Sequence, residues 1–273
     1  MFNFICVDRS GNDYGVSDFC RGSGGEFVDV GTMLADTVHD RAWSGGYKRG
    51  LHDHCAAHGL SFYNTDSAYF GDSGKHKSLF RLSKNSYQNL TSIVPRPLDR
   101  LQRLTVDTTA IPQGSSIVLV PPDEKACHRW DLGSQASWIE ETVGRIAQVS
   151  SRPVRIRQRP PHRCDRLIYN SFVDYLREDA FCVVGYSSVA LVEAARHSIP
   201  VVALGESAVS SLYSQGLDSV EDLQPVDPDH LTAWLAHLSH SERKSLRCIC
   251  DSTIVLILSP SDILPNYNHC LGF

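Results

Sequence analysis

The sequence predicts an α/β protein built on a parallel, doubly wound sheet, and two observations carry that expectation. In the second half of the chain, short apolar runs of strand length alternate with amphipathic runs of about three turns, the spacing of successive βαβ units. The first half repeats the alternation less regularly, so a second, smaller α/β unit is expected there. With 42% hydrophobic and 21% charged residues, the composition excludes disordered, collagenous and coiled-coil classes.

In chain order, residues 2–7 (FNFICV) read as a strand, 25–31 as a second candidate, 48–59 as a helix closed by Gly59, and 60–65 (LSFYNT) as a further strand. Residues 92–115 hold three prolines with weak periodicity and read as a linker, which sets a domain boundary near 105. Then come a strand at 115–122, a helix at 134–150 with Ser134 as N-cap, and a strand at 152–158. A helix at 166–178, a strand at 180–185, a helix at 188–197 and a strand at 200–205 complete the alternation. The tail holds a helix at 228–240 and an irregular end. This reading gives domains at 1–105 and 106–215 and a helical tail at 216–273.

No stretch approaches the roughly 20 apolar residues of a membrane span, and the start does not read as a signal peptide, so a soluble cytoplasmic protein is expected. Nine scattered cysteines fit a reducing compartment and no disulfide framework. His52 and His54 are too isolated to define a metal site, and no metal is expected. The formal charge is −5, but residues 152–166 carry six arginines against one aspartate, a basic patch suited to phosphate.

Ligands of an open parallel sheet sit at the carboxyl ends of its strands. Here those ends carry Pro122 in PPDEK, Arg157 and Arg159 around QRPPHR, Gly185-Tyr186-Ser187-Ser188, and Gly205-Glu206-Ser207. Gly185 permits a tight turn, and Ser187 or Ser188 caps the following helix, whose first amides and dipole suit a diphosphate. Serines also cap helices with no ligand at all. Arg157 and Arg159, at the end of a neighbouring strand, are expected to reach the same anion, and Glu193 is either a ribose contact or a solvated helix position. Neither G-x-G-x-x-G nor a P-loop is present, which removes the main support for dinucleotide oxidoreductases and P-loop kinases.

The run GYSSVALVEAARHSIPVVALG, with IVLVPP and RIRQRP before it, resembles the donor half of GT-B glycosyltransferases, particularly capsule and Kdo-type enzymes. The resemblance covers about residues 115–215. It implies two Rossmann-like domains with a cleft between them and a nucleotide-sugar donor, a UDP-sugar favoured, with no permanently bound cofactor. Under it Ser187 and Ser188 contact the diphosphate, Arg157 and Arg159 neutralise it, and Glu193 lies near the ribose. His197-Ser198 departs from the pattern, in which glycine commonly precedes Ile-Pro. Residues 62–90 resemble a segment of phage proteins that glycosylate hydroxymethylated pyrimidines in DNA, which implies DNA as acceptor and a host-cytoplasmic setting.

Tyr69 and Phe70, with Phe62, Tyr63, Phe80 and Tyr87, would then stack on a sugar or extruded base, or simply pack a core. Arg81 and Lys84, with Lys75, His76 and Lys77, would meet phosphates, or line a solvated loop. An inverting transfer needs a base. Asp66, on the loop expected after LSFYNT, is the first candidate, with Asp8 and His54 as competitors. A surface-glycan transferase and a non-catalytic nucleotide- or glycan-binding module are the alternatives, and the residues name no oligomeric state.

Overall fold

The computed structural model describes residues 4–7, 26–28, 42–45, 49–70, 79–158 and 171–244. Asp8, Arg159, Lys75, His76, Lys77 and the expected irregular end lie outside the described residues. The fold is mixed α/β, in two compact units. One holds the described residues up to Asn85 together with Arg243 and Lys244, and the other is Ser86–Glu242.

The first unit contains β1 (Phe4–Val7), β2 (Glu26–Val28), β3 (Ala42–Gly45), α1 (Arg49–Ala57), β4 (Ser61–Ser67) and β5 (Leu79–Lys84). Strands β1 to β4 are mutually parallel in the order β2-β1-β3-β4, and β5 pairs antiparallel with β4. A last strand, β10 (Glu242–Lys244), lies beyond β5. Helix α1 stops where Gly59 turns left-handed at φ +67°, and Leu60 donates back to the Cys55 carbonyl at 2.8 Å. Strand β4 runs two residues past its expected end because Asp66 and Ser67 pair with Arg81 and Phe80 of β5. Asp66 therefore lies in a strand, not on a loop.

The second unit contains α2 (Asp99–Leu104), β6 (Ser116–Val120), α3 (Glu124–Trp130), α4 (Gln135–Val149), β7 (Val154–Ile156) and α5 (Phe172–Asp179). It continues with β8 (Ala180–Gly185), α6 (Val189–Arg196), β9 (Val201–Ala203), two 3-10 turns (Ala208–Ser211 and Leu217–Asp222) and α7 (Pro228–Ser239). Its four strands are parallel in the order β7-β6-β8-β9. Every residue of β6 and β8 is buried, which explains their unbroken apolar runs. Side-chain caps set the helix starts: Ser134 in a reciprocal box with Ser137 for α4, Ser171 for α5, Ser188 for α6, and Asp227 ahead of Pro228 for α7.

Residues 86–115 fold with the second unit. Asn89, Thr91 and Val94 bond the buried ring of His237 on α7. The His197 ring meets the Thr109 carbonyl at 2.7 Å, and Gly114 donates to the Ala180 carbonyl. Prolines made this stretch read as a linker; its anchors are hydrogen bonds to residues more than 60 positions away, which local periodicity cannot reveal.

The chain enters the second sheet at β6, steps out to β7, then crosses back over β6 to lay down β8 and β9. The loops after β6 and β8 consequently leave in opposite directions and open a crevice between the two strand ends, a topological switch point. The first unit repeats the same strand order, with its switch point between β1 and β3.

Candidate functional site

The switch point of the second sheet lies between Val120 and Gly185, which are register partners at the ends of β6 and β8. Gly185 fits closely there: a Cβ would stand 3.1 Å from the Val120 carbonyl oxygen and 3.2 Å from the Leu191 side chain, so a neighbour would have to give by a few tenths of an ångström. After β6 the chain turns through Pro121 and Pro122, and the carboxylate of Asp123 caps α3 by accepting from Ala126 N–H. The Pro122 carbonyl accepts from Gln135 Nε2 at 2.7 Å, so Pro122 shapes this loop through its backbone. Buried Cys127, 3.9 Å from the same carbonyl, has its thiol pushed up by desolvation and by Glu124 and Asp123. It fills space rather than acting as a nucleophile.

The two serines after Gly185 have different tasks. Ser188 Oγ accepts from Ala190 N–H and caps α6, a contact of about 1 kcal/mol. Ser187 Oγ donates to the Glu206 carbonyl and accepts from Gln88 Nε2, which also donates to the Ser187 carbonyl at 3.0 Å. The hydroxyl of Ser187 is thus committed to the protein, which counts against the expectation that it contacts a diphosphate. Glu193, five residues past the cap, pairs with Arg196 at 3.5 Å.

Gln88 was not anticipated. Fully buried, it links the loops after β8 and β9: besides Ser187 it receives Ala208 N–H on Oε1 at 3.0 Å. Its neighbour Tyr87 donates its backbone N–H to the Glu206 carboxylate at 3.3 Å. The Tyr87 ring meets Trp130 edge-on at 5.7 Å, and Trp130 meets Tyr186 at 6.1 Å. Tyr186 lies against Gly205, where a Cβ would come within 2.6 Å of its ring. The Arg129 guanidinium stands 5.2 Å from the Tyr87 ring centroid. Tyr186, Gly205 and Glu206 were legible as residues at strand ends, and Tyr87 as one of the aromatics of residues 62–90; nothing local distinguishes Gln88 or Trp130.

The basic patch is differently placed from the expectation. Strand β7 is the sheet edge, separated from β8 by β6, so Arg157 starts about 10 Å from the serine loop. Arg152 pairs with Glu221 at 2.8 Å and lies over Phe181, while Arg155 pairs with Glu178. The Arg157 guanidinium stands 5.1 Å from the Tyr175 centroid, and Arg155 stands 4.2 Å from the same ring. The described arginines mainly fasten β7 to α5 and the second 3-10 turn.

In the first unit, Asp66 Oδ2 accepts from Arg81 Nη2 at 3.0 Å, and the Arg81 side chain is 2% exposed. Arg81 also lies 5.0 Å over the Tyr69 ring. Tyr69 and Phe70 are buried, so they pack the unit's interior and are not presented for stacking. Arg81 is likewise a buried ion-pair partner and not a surface phosphate contact. Lys84 is half-buried with its ammonium 5.8 Å from the Tyr63 ring. His54 lies on α1, its ring 4.3 Å from that of His58, and its carbonyl accepts from His58 Nδ1.

Among the described residues no group of three or more His, Cys, Asp or Glu could hold a metal ion, and no helix is long and apolar enough to cross a membrane. The chain matches no family model and no curated protein.

Proposed function

We propose that the chain is a nucleotide-sugar-dependent glycosyltransferase of the GT-B kind, with its donor, a UDP-sugar in the favoured form, held by the second unit at the switch point between β6 and β8. The observation that carries this reading is the meeting, at that crevice, of a Ser188-capped helix start with Tyr186, Tyr87 and, from the end of α3, Trp130. A helix start favours a diphosphate and half-buried rings favour a base. The same strand order in the first unit supports a pair of nucleotide-fold units.

In the reaction, the acceptor oxygen attacks C1 of the donor sugar, the C1–O bond to the diphosphate breaks, and the acceptor proton passes to a base. The positive end of the α6 dipole stabilises the charge growing on the diphosphate. For the base, Asp8 moves ahead of Asp66 and His54. Asp66 is held by Arg81 within a hairpin, so its carboxylate is already engaged, and Asp8 is the other carboxylate that the sequence offers. The acceptor, a 5-hydroxymethylpyrimidine in DNA, rests on the sequence resemblance alone.

Purified protein incubated with a nucleotide-sugar panel and DNA containing hydroxymethylcytosine or hydroxymethyluracil tests the reading by nucleoside mass spectrometry. A hexose- or pentose-sized gain on the modified base is expected, and Asp8→Asn abolishes it while donor affinity stays. Hydrolysis of one nucleotide-sugar without transfer to DNA moves the acceptor to a glycan. Neither binding nor turnover of any nucleotide-sugar overturns the transferase reading.

A further inference from the structure

We infer that Tyr87, Trp130 and Tyr186 form a stacking platform for the planar base of a nucleoside diphosphate, so that the second unit reads its donor through the base as well as the phosphates. This rests on the donor-site reading above and adds residues and a ligand moiety to it. Four other large rings of the unit are core, Trp138 at 7% exposed, Phe181 at 7%, Tyr213 at 5% and Trp234 at 0%, while Phe172 and Tyr175 are half-buried on α5, where Tyr175 is covered by Arg155 and Arg157. The three at the carboxyl edge are only half-buried, and they arrive from three separate segments to touch one another.

Each ring is held independently. Tyr186 is seated on the bare backbone of Gly205, whose missing Cβ makes room for it. Tyr87 is fixed through its own N–H on Glu206 and through the three hydrogen bonds of the adjacent, fully buried Gln88. Trp130 is the last residue of α3, which starts at the end of β6. Rings positioned in advance lose little freedom when a flat ligand settles on them. Tyr186 immediately precedes the serines, so a base on this cluster lies within one nucleotide's length of the α6 start. Arg129, over Tyr87, brings positive charge to the same edge, which favours a ligand carrying phosphate.

The test uses the full chain, titrated with UDP, CDP, GDP, ADP and inorganic pyrophosphate by calorimetry and tryptophan fluorescence, and compares Trp130→Leu and Tyr87→Leu with wild type. The expected result is one preferred nucleoside diphosphate that quenches fluorescence, with its affinity falling about tenfold or more in each variant while pyrophosphate binding is unchanged. Wild-type affinity in both variants overturns the platform and leaves the transferase reading in place. Failure of the wild type to bind any nucleoside diphosphate overturns both. An oligonucleotide containing hydroxymethylcytosine serves as a second arm: if its binding falls in the variants while that of nucleoside diphosphates does not, the rings hold an extruded acceptor base and the donor assignment is overturned.

Discussion

Replacing Gln88 with alanine removes the clamp between the loops after β8 and β9. The side chain is 0% exposed, and its loss strands two backbone groups, the Ser187 carbonyl at 3.0 Å from Nε2 and the Ala208 N–H at 3.0 Å from Oε1. A buried polar group without a partner costs roughly 1–3 kcal/mol. Ala208 is 1% exposed and bears the full cost, whereas half-buried Ser187 is partly rescued by water. The expected loss is therefore about 2–4 kcal/mol, which lowers the urea midpoint by on the order of 1 M at an m-value of about 3 kcal/mol/M. Urea unfolding followed by fluorescence measures it. A shift below about 0.5 kcal/mol refutes the clamp. Gln88→Glu sharpens the test because it keeps the acceptor for Ala208 but turns an oxygen toward the Ser187 carbonyl. Protonated, that carboxyl again donates, so stability in this variant is present at low pH and lost as pH rises through its titration. A pH-independent variant would show that Ser187 is not the partner.

Further outcomes concern backbone and charge. Gly114→Ala puts a Cβ 2.4 Å from the Asp179 backbone and costs about 1–3 kcal/mol, whereas Gly144→Ala, in open space on α4, gains about 0.5–1 kcal/mol; equal midpoints for the two would refute the packing argument. Ser198 is held left-handed at φ +63°, the position where the resembling enzymes commonly carry glycine, so Ser198→Gly raises stability by about 0.5–1 kcal/mol, and a lowered melting temperature would contradict this. Burial lowers the titration of His237, and of His240 beside it, below the ordinary 6.5. The native state thus favours the neutral rings: stability is complete above about pH 6.5 and falls as pH drops toward the lowered native values. Asp179 is held near 2 by the hydroxyls of Ser115 and Ser116 and the Ser115 N–H, so its contribution is present above 3.8 and lost only as pH falls toward 2. A stability profile flat from pH 7 to 5 in urea melts would refute the histidine part.

Local chemistry made much of the fold legible. Unbroken apolar runs marked β6 and β8 because both of their faces are covered, and the caps at Ser134 and Ser188 marked helix starts because a hydroxyl satisfies an amide two or three residues away. The helix expected at 228–240 is observed as Pro228–Ser239. Strands β3 and β5 were missed. Each is stabilised by partners across a sheet, and six residues such as LFRLSK carry too little pattern by themselves. Helix α2 was hidden among prolines for the same reason: it contacts α7, far along the chain.

The candidate site divides along the same line. That strand-end loops bear prolines, glycines and serines is a property of sequence, since tight turns and caps depend on neighbours within four residues. Which loops lie side by side is not, because strand order depends on the side to which each crossover returns. The order β7-β6-β8-β9 set Arg157 at the sheet edge, Arg81 turned Asp66 into a strand ion pair, and Gln88 took the hydroxyl of Ser187. Charges and hydroxyls find partners through space, so the sequence alone determined which side chains could serve a phosphate, and only the tertiary structure decided which were already spent.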